Sequence, residues 1–89
     1  FKFGTNNTHG SIITLNHGCI FKKEFKYLAD YSYPDGGMTT ETYTNFFMLE
    51  VETLSPLYTL RDGDVREHTE HWSLIPEKST RVEDVVRYL

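Results

Sequence analysis

A single cysteine, three prolines and only nine Lys and Arg residues in 89 set the first limits on this chain. Cys19 has no partner, so there is no intrachain disulfide and the redox compartment is left open. A lone thiol of this kind reads as a small buried hydrophobe. No apolar run reaches the ~20 residues of a membrane-spanning helix, and no signal-peptide pattern opens the sequence. Basic residues are outnumbered by 13 Asp and Glu, for a formal charge of −4, and only Lys22, Lys23 and Lys26 lie close together. Nucleic acid is thereby excluded as a partner, because neutralising phosphates takes a concentrated basic face. An acidic membrane surface is excluded for the same reason. Repeats, low-complexity segments and cofactor motifs are absent, and the opening Phe-Lys-Phe-Gly, without Met, points to a fragment or a processed product.

What remains is room for one small domain, marginal in the surface that it can bury. Aromatic residues make up 15% of the chain, far above the disordered class.

Period-2 patterning dominates. From Gly10 to Leu28 two β-rich arms flank Asn16-His17-Gly18, a connection whose Asn and Gly tolerate positive φ, and a β-hairpin is expected. In its second arm Phe21, Lys23, Phe25 and Tyr27 share one face; Ile20, Lys22, Glu24 and Lys26 share the other. Neither face is purely apolar, so the lysine stems should lie over hydrophobic surface.

Tyr31 to Asn45 is turn-rich. Pro34-Asp35-Gly36-Gly37 is a strong turn signal, and Tyr31, Tyr33 and Tyr43 gather about it. Such a loop fits a ligand wall, since tyrosine offers an apolar ring to a sugar's C–H groups and a hydroxyl to its polar edge. Tyr33 and Asp35 are the substrate-binding candidates here. The alternative is that the tyrosines pack the loop onto a sheet.

Within residues 45–54, Phe47, Leu49 and Val51 fall on one face, expected to be core. Phe46, Met48, Glu50, Glu52 and Leu54 fall on the other. Folding does not need Glu50 and Glu52. Side by side, two carboxylates raise one pKa, which suits a base or a hydrogen-bonding partner for sugar hydroxyls; a wet strand face carrying solvated charges is the competing reading. Pro56 ends or bends this strand. A short strand is expected at Leu57–Leu60, then a turn at Arg61–Asp64 that returns the chain into a last strand as a second hairpin-like pairing.

In that last strand, Arg66, His68, Glu70, Trp72 and Leu74 alternate with Glu67, Thr69, His71, Ser73 and Ile75, and Trp72 with Leu74 reads as core. His68 and His71 face opposite ways on a strand, so no metal site is expected from them. The period then changes. Thr80 with Glu83 forms a capping-box pattern, and Val82, Val85, Val86 and Leu89 follow helical spacing, predicting a short C-terminal helix within residues 80–89. The fold expected is all-β, an antiparallel β-sandwich with strands across residues 1–75, closed by that helix.

Leu49-Glu50-Val51-Glu52, the apolar Leu57 to Leu60, the Arg61-Asp62-Gly63-Asp64 turn and the aromatic-ending stretch from His68 to Leu74 together resemble the closing strands of galactose-mutarotase-like, aldose 1-epimerase-related proteins. The resemblance covers about residues 1 to 75. It departs at Glu52, where true epimerases more commonly have Gln, at Ser55-Pro56-Leu57 and at Asp62. It implies part of a larger antiparallel supersandwich with a sugar on its concave sheet. It also implies a general base at Glu50, acting on the anomeric hydroxyl; Glu52 and His68 are the substrate-binding candidates beside it, a solvated His68–Glu70 pair being the competing reading for the histidine. In the family the acid histidines come from earlier strands, which this chain lacks. Two functions follow: a carbohydrate-recognition module, or the C-terminal part of an epimerase interconverting hexose anomers. A purely structural half-sandwich is the third reading. The implied partners are a sugar and either a second copy or the rest of a longer parent chain.

Overall fold

The computed structural model describes every residue from Phe1 to Leu89. Six strands are present: β1 Lys2–Thr5, β2 Ser11–Asn16, β3 Cys19–Phe25, β4 Thr40–Thr44, β5 Leu49–Thr53 and β6 Glu70–Pro76. They form two antiparallel three-stranded sheets, ordered β1-β4-β5 and β2-β3-β6. The fold is therefore all-β, as the period-2 patterning predicts. Two compact units divide the chain. One joins Phe1–His9 to Lys26–Thr69, the other Gly10–Phe25 to Glu70–Leu89. No helix is long and apolar enough to cross a membrane.

The first unit holds β1-β4-β5. Its most enclosed residue is Thr39, with no exposed surface. The Thr39 hydroxyl donates to the Asn7 carbonyl and accepts from the Asn7 N–H, both at 2.8 Å. The Thr39 backbone bonds Thr5 and Leu54, which ties the start of β4 to the ends of β1 and β5. Gly4 lets the Met38 side chain lie directly on β1, since a Cβ there would stand 2.8 Å from Met38 Cγ.

Between β4 and β5, Asn45 Oδ1 accepts from the backbone N–H groups of Phe47 and Met48 and fixes a turn. The turn delays β5 until Leu49. Phe46 and Phe47 therefore stand at its tip, 102% and 94% exposed, and Leu49 is half exposed. Phe47 and Leu49 are not core, contrary to the alternation. Leu57–Leu60 is not a strand either: the Leu57 N–H bonds Ser32 O, which draws that stretch to the tyrosine loop. The expected pairing with the last strand does not form, and β6 pairs with β3 instead.

The second unit is built on the expected hairpin. Asn16 pairs with Cys19, and His17 and Gly18 make the turn with φ of 51° and 71°, the two positive values that a right-twisting two-residue connection requires. At the other end Gly10, φ 86°, brings its carbonyl to the Phe25 N–H at 2.9 Å. Ile20 and Phe25 are buried. Trp72 and Leu74 are not: they are 65% and 73% exposed, on the face of β6 that lies beside Phe21 and Lys23. The Lys23 ammonium lies 5.1 Å over the Trp72 ring, a cation–π contact across the β3–β6 ladder.

The C-terminal helix takes the form of two 3-10 turns, Val82–Asp84 and Val86–Tyr88. The capping pattern is displaced by one residue. Ser79 rather than Thr80 receives the Arg81 N–H, and the Ser79 hydroxyl donates to Asp84. Of the expected valine stripe only Val85 is buried, while Val82, Val86 and Leu89 stay exposed, since tighter winding spoils the i, i+4 alignment of an α-helix.

Candidate functional site

Strand register in the first unit assembles the site. Lys2 pairs with Tyr43 and Tyr43 with Glu50; Gly4 pairs with Glu41 and Glu41 with Glu52. Since alternate residues share a face, Lys2, Glu41, Tyr43, Glu50 and Glu52 project from one side of the sheet. Directly opposed residues in such a ladder stand ~5 Å apart, so three carboxylates and a phenol occupy adjoining positions.

Asp35 reaches this face from the turn Pro34–Gly37. Its backbone is left-handed, φ 53° and ψ 40°, and so is that of Gly36. The Met38 N–H closes the turn onto Pro34 O at 2.8 Å. The result is a cleft of about 430 Å³ lined by Lys2, Phe3, Gly4, Asp35, Met38 and Glu41.

Glu41 is the centre of the electrostatics there. The Glu41 side chain is only 10% exposed and lies 3.3 Å from the Lys2 ammonium. Its pKa is nevertheless raised, first by a hydrogen bond with Asp35 and then by burial, against the pull of Lys2. Two carboxyl groups in contact bond best when one keeps its proton. Lys2 is pushed up in turn by its bond to Glu41 and by the charges of Glu41, Glu52 and Asp35. The face thus sets a glutamate of raised proton affinity, further carboxyl groups and a cation side by side.

The sequence candidates divide. Glu50, Glu52 and Asp35 are brought to this face. Tyr33 lies away from it: it is buried, stacked on Tyr27 at 5.5 Å, its hydroxyl accepts the Leu28 N–H, and with Tyr27 and Tyr31 it lines a separate cavity in the tyrosine loop. His68 lies outside β6 and meets Thr53 Oγ1 at 2.8 Å. Thr53 alternates with Glu52, so His68 belongs to the opposite side of the sheet from Glu50. Of the loop tyrosines, Tyr31 packs edge-on against Tyr58, and Tyr43 joins the site from β4.

Lys2 and Glu41 are the members that sequence reasoning missed. Glu41 and Tyr43 carry the same period-2 signal as Glu50 and Glu52, but only the pairing register shows that the two patterns adjoin. No group of three or more His, Cys, Asp and Glu has the arrangement of a metal site. Compared with protein-family models, with curated proteins and with solved structures, the chain matches none.

Proposed function

We propose that the Lys2–Glu41–Glu50–Glu52 face binds a carbohydrate. The observation that carries this reading is the register Tyr43↔Glu50 beside Glu41↔Glu52, an aromatic ring with carboxylates on the same sheet face. A sugar needs both. Its C–H patches favour a ring face, and its hydroxyls donate to charged oxygens in hydrogen bonds stronger than neutral ones. Lys2 supplies the complementary donor. The likeness of residues 1 to 75 to galactose-mutarotase-like proteins supports the same ligand class, with Glu50 toward the sugar.

A second reading, the C-terminal part of an aldose 1-epimerase, is favoured by one feature. Glu41, whose proton affinity is raised by Asp35 and by burial, stands on the same sheet face as Glu50. Anomer exchange requires an acid and a base within hydrogen-bond reach of the anomeric centre.

Calorimetric titration with a panel of hexoses tests binding, and polarimetry of fresh α-anomer tests exchange. Glu50→Gln should keep the fold and weaken binding by ~1.5–3 kcal/mol, the worth of a hydrogen bond to a charged group. Under the second reading it should stop anomer exchange with little loss of binding. Equal behaviour of variant and wild type in both assays would sink both readings.

A further inference from the structure

Strand β6 is an edge strand, bonded only to β3, and its ladder with β3 runs unbroken from Phe25↔Glu70 to Cys19↔Pro76. Folded proteins usually guard such edges with lysine, proline or a bulge. From His71 to Ile75 the edge of β6 has none of these, and it carries two of the chain's large exposed apolar side chains, Trp72 and Leu74. Nor is the indole loosely placed. Trp72 Nε1 donates to Glu70 Oε1 at 3.1 Å, and Lys23 both pairs with Glu70 and covers the ring.

We propose that β6 pairs antiparallel with β6 of a second copy of this chain, about a two-fold axis at Ser73, making one six-stranded sheet. The strand's own sequence argues for that occupant. Centred on Ser73, the pairing sets Trp72 of each copy opposite Leu74 of the other, on the same face, twice. An isologous contact needs this kind of self-complementarity. His71 then meets Ile75, and Glu70 meets Pro76. The two Glu70 carboxylates end six residues apart along the strand, ~20 Å, well beyond the ~8–10 Å over which salt leaves exposed charges interacting. A one-residue slip in either direction would lose both Trp–Leu pairs. The other edge, β2, keeps its Ile12, Ile13 and Leu15 half-buried and presents no comparable exposed pair.

Sedimentation equilibrium of the 89-residue chain should show a reversible monomer–dimer equilibrium. Leu74→Lys, at an exposed position that the monomer does not need, should raise the dimer Kd by roughly tenfold or more through the two lost cross-strand pairs and the added charge. Phe47→Lys, on the β4–β5 turn, should leave the Kd unchanged.

Register is read independently by crosslinking in a Cys19→Ser background. Residues opposed in an antiparallel pair have Cα atoms ~4.5–5.5 Å apart, within disulfide range. Ser73→Cys should therefore give a covalent dimer under mild oxidation. His71→Cys should not, because its two copies stand ~14 Å apart along the strand. A monomer at every concentration, a dimer indifferent to Leu74→Lys, or crosslinking at residue 71 in place of 73 would each overturn the proposal.

Discussion

The ammonium of Lys2 stands 3.3 Å from Glu41, diagonally across the β1–β4 ladder, yet Glu41 holds its proton more tightly than an ordinary glutamate. Asp35 outweighs the cation. The folded pKa of Glu41 lies above its unfolded value, so the folded state binds the extra proton more avidly. The stability gained is full below the ordinary glutamate range and is lost as pH rises through the raised pKa. Glu41→Gln is neutral throughout. From pH ~4 upward the wild type should lose melting temperature relative to this variant, and parallel melting curves across pH would contradict the shared proton.

Glu77 should behave with the opposite sign. Its carboxylate accepts the Ser79 N–H at 3.0 Å and the Tyr88 hydroxyl at 3.3 Å, with Arg87 beside it, and these partners lower its pKa, the Ser79 backbone first. This contribution is present above the unfolded glutamate range and is lost as pH falls through the depressed folded value. Melts of wild type and Glu77→Gln should converge in acid and separate at neutral pH, the wild type melting higher there. An unchanged gap would show that Glu77 does not anchor the 3-10 segment.

Thr39→Val keeps the shape of a fully buried side chain and removes the hydroxyl that both donates to and accepts from the Asn7 backbone. Urea unfolding should show a loss of about 1–3 kcal/mol, as for a buried polar group deprived of its partner. A loss near zero would mean that the segment after β1 re-forms its bonds elsewhere.

Gly10→Ala and Gly63→Ala form a matched pair. Both glycines have positive φ, 86° and 88°, but a Cβ at Gly10 would meet Phe25 O at 2.5 Å, whereas one at Gly63 meets nothing within 4 Å. Gly63→Ala should cost only the ~1–2 kcal/mol of a left-handed alanine. Gly10→Ala should cost clearly more, read by the same unfolding titration, because the Phe25 bond that closes the β2–β3 hairpin must stretch. Equal losses would show that the backbone there yields freely.

Local chemistry was legible in the sequence; choice of partner was not. Asn16-His17-Gly18 announces its hairpin because the turn and both arms are neighbours. The shared face of Glu50 and Glu52 follows from alternation alone. By contrast, nothing local tells β6 to join β3 in place of Leu57–Leu60, and nothing near Glu50 announces Lys2, which arrives through the ladder of β4. Trp72 and Leu74 read as core because apolar alternation marks a face without saying whether anything covers it. Asn45 reversed another expectation by bonding its own neighbours, which moved Phe47 from a strand to a turn.

Each compact unit is stitched from two separate stretches of chain, and this bears on the order of synthesis. Emerging from a ribosome, β1, β4 and β5 can close their sheet once Thr53 is free. The β2–β3 hairpin, made early, must wait for Glu70–Pro76, some 45 residues further along the chain, before its third strand arrives. Contacts so distant in sequence are slow to form. Until then β3 holds an open ladder edge, and a nascent chain held at that stage is the species in which a chaperone or a neighbouring copy finds its easiest purchase.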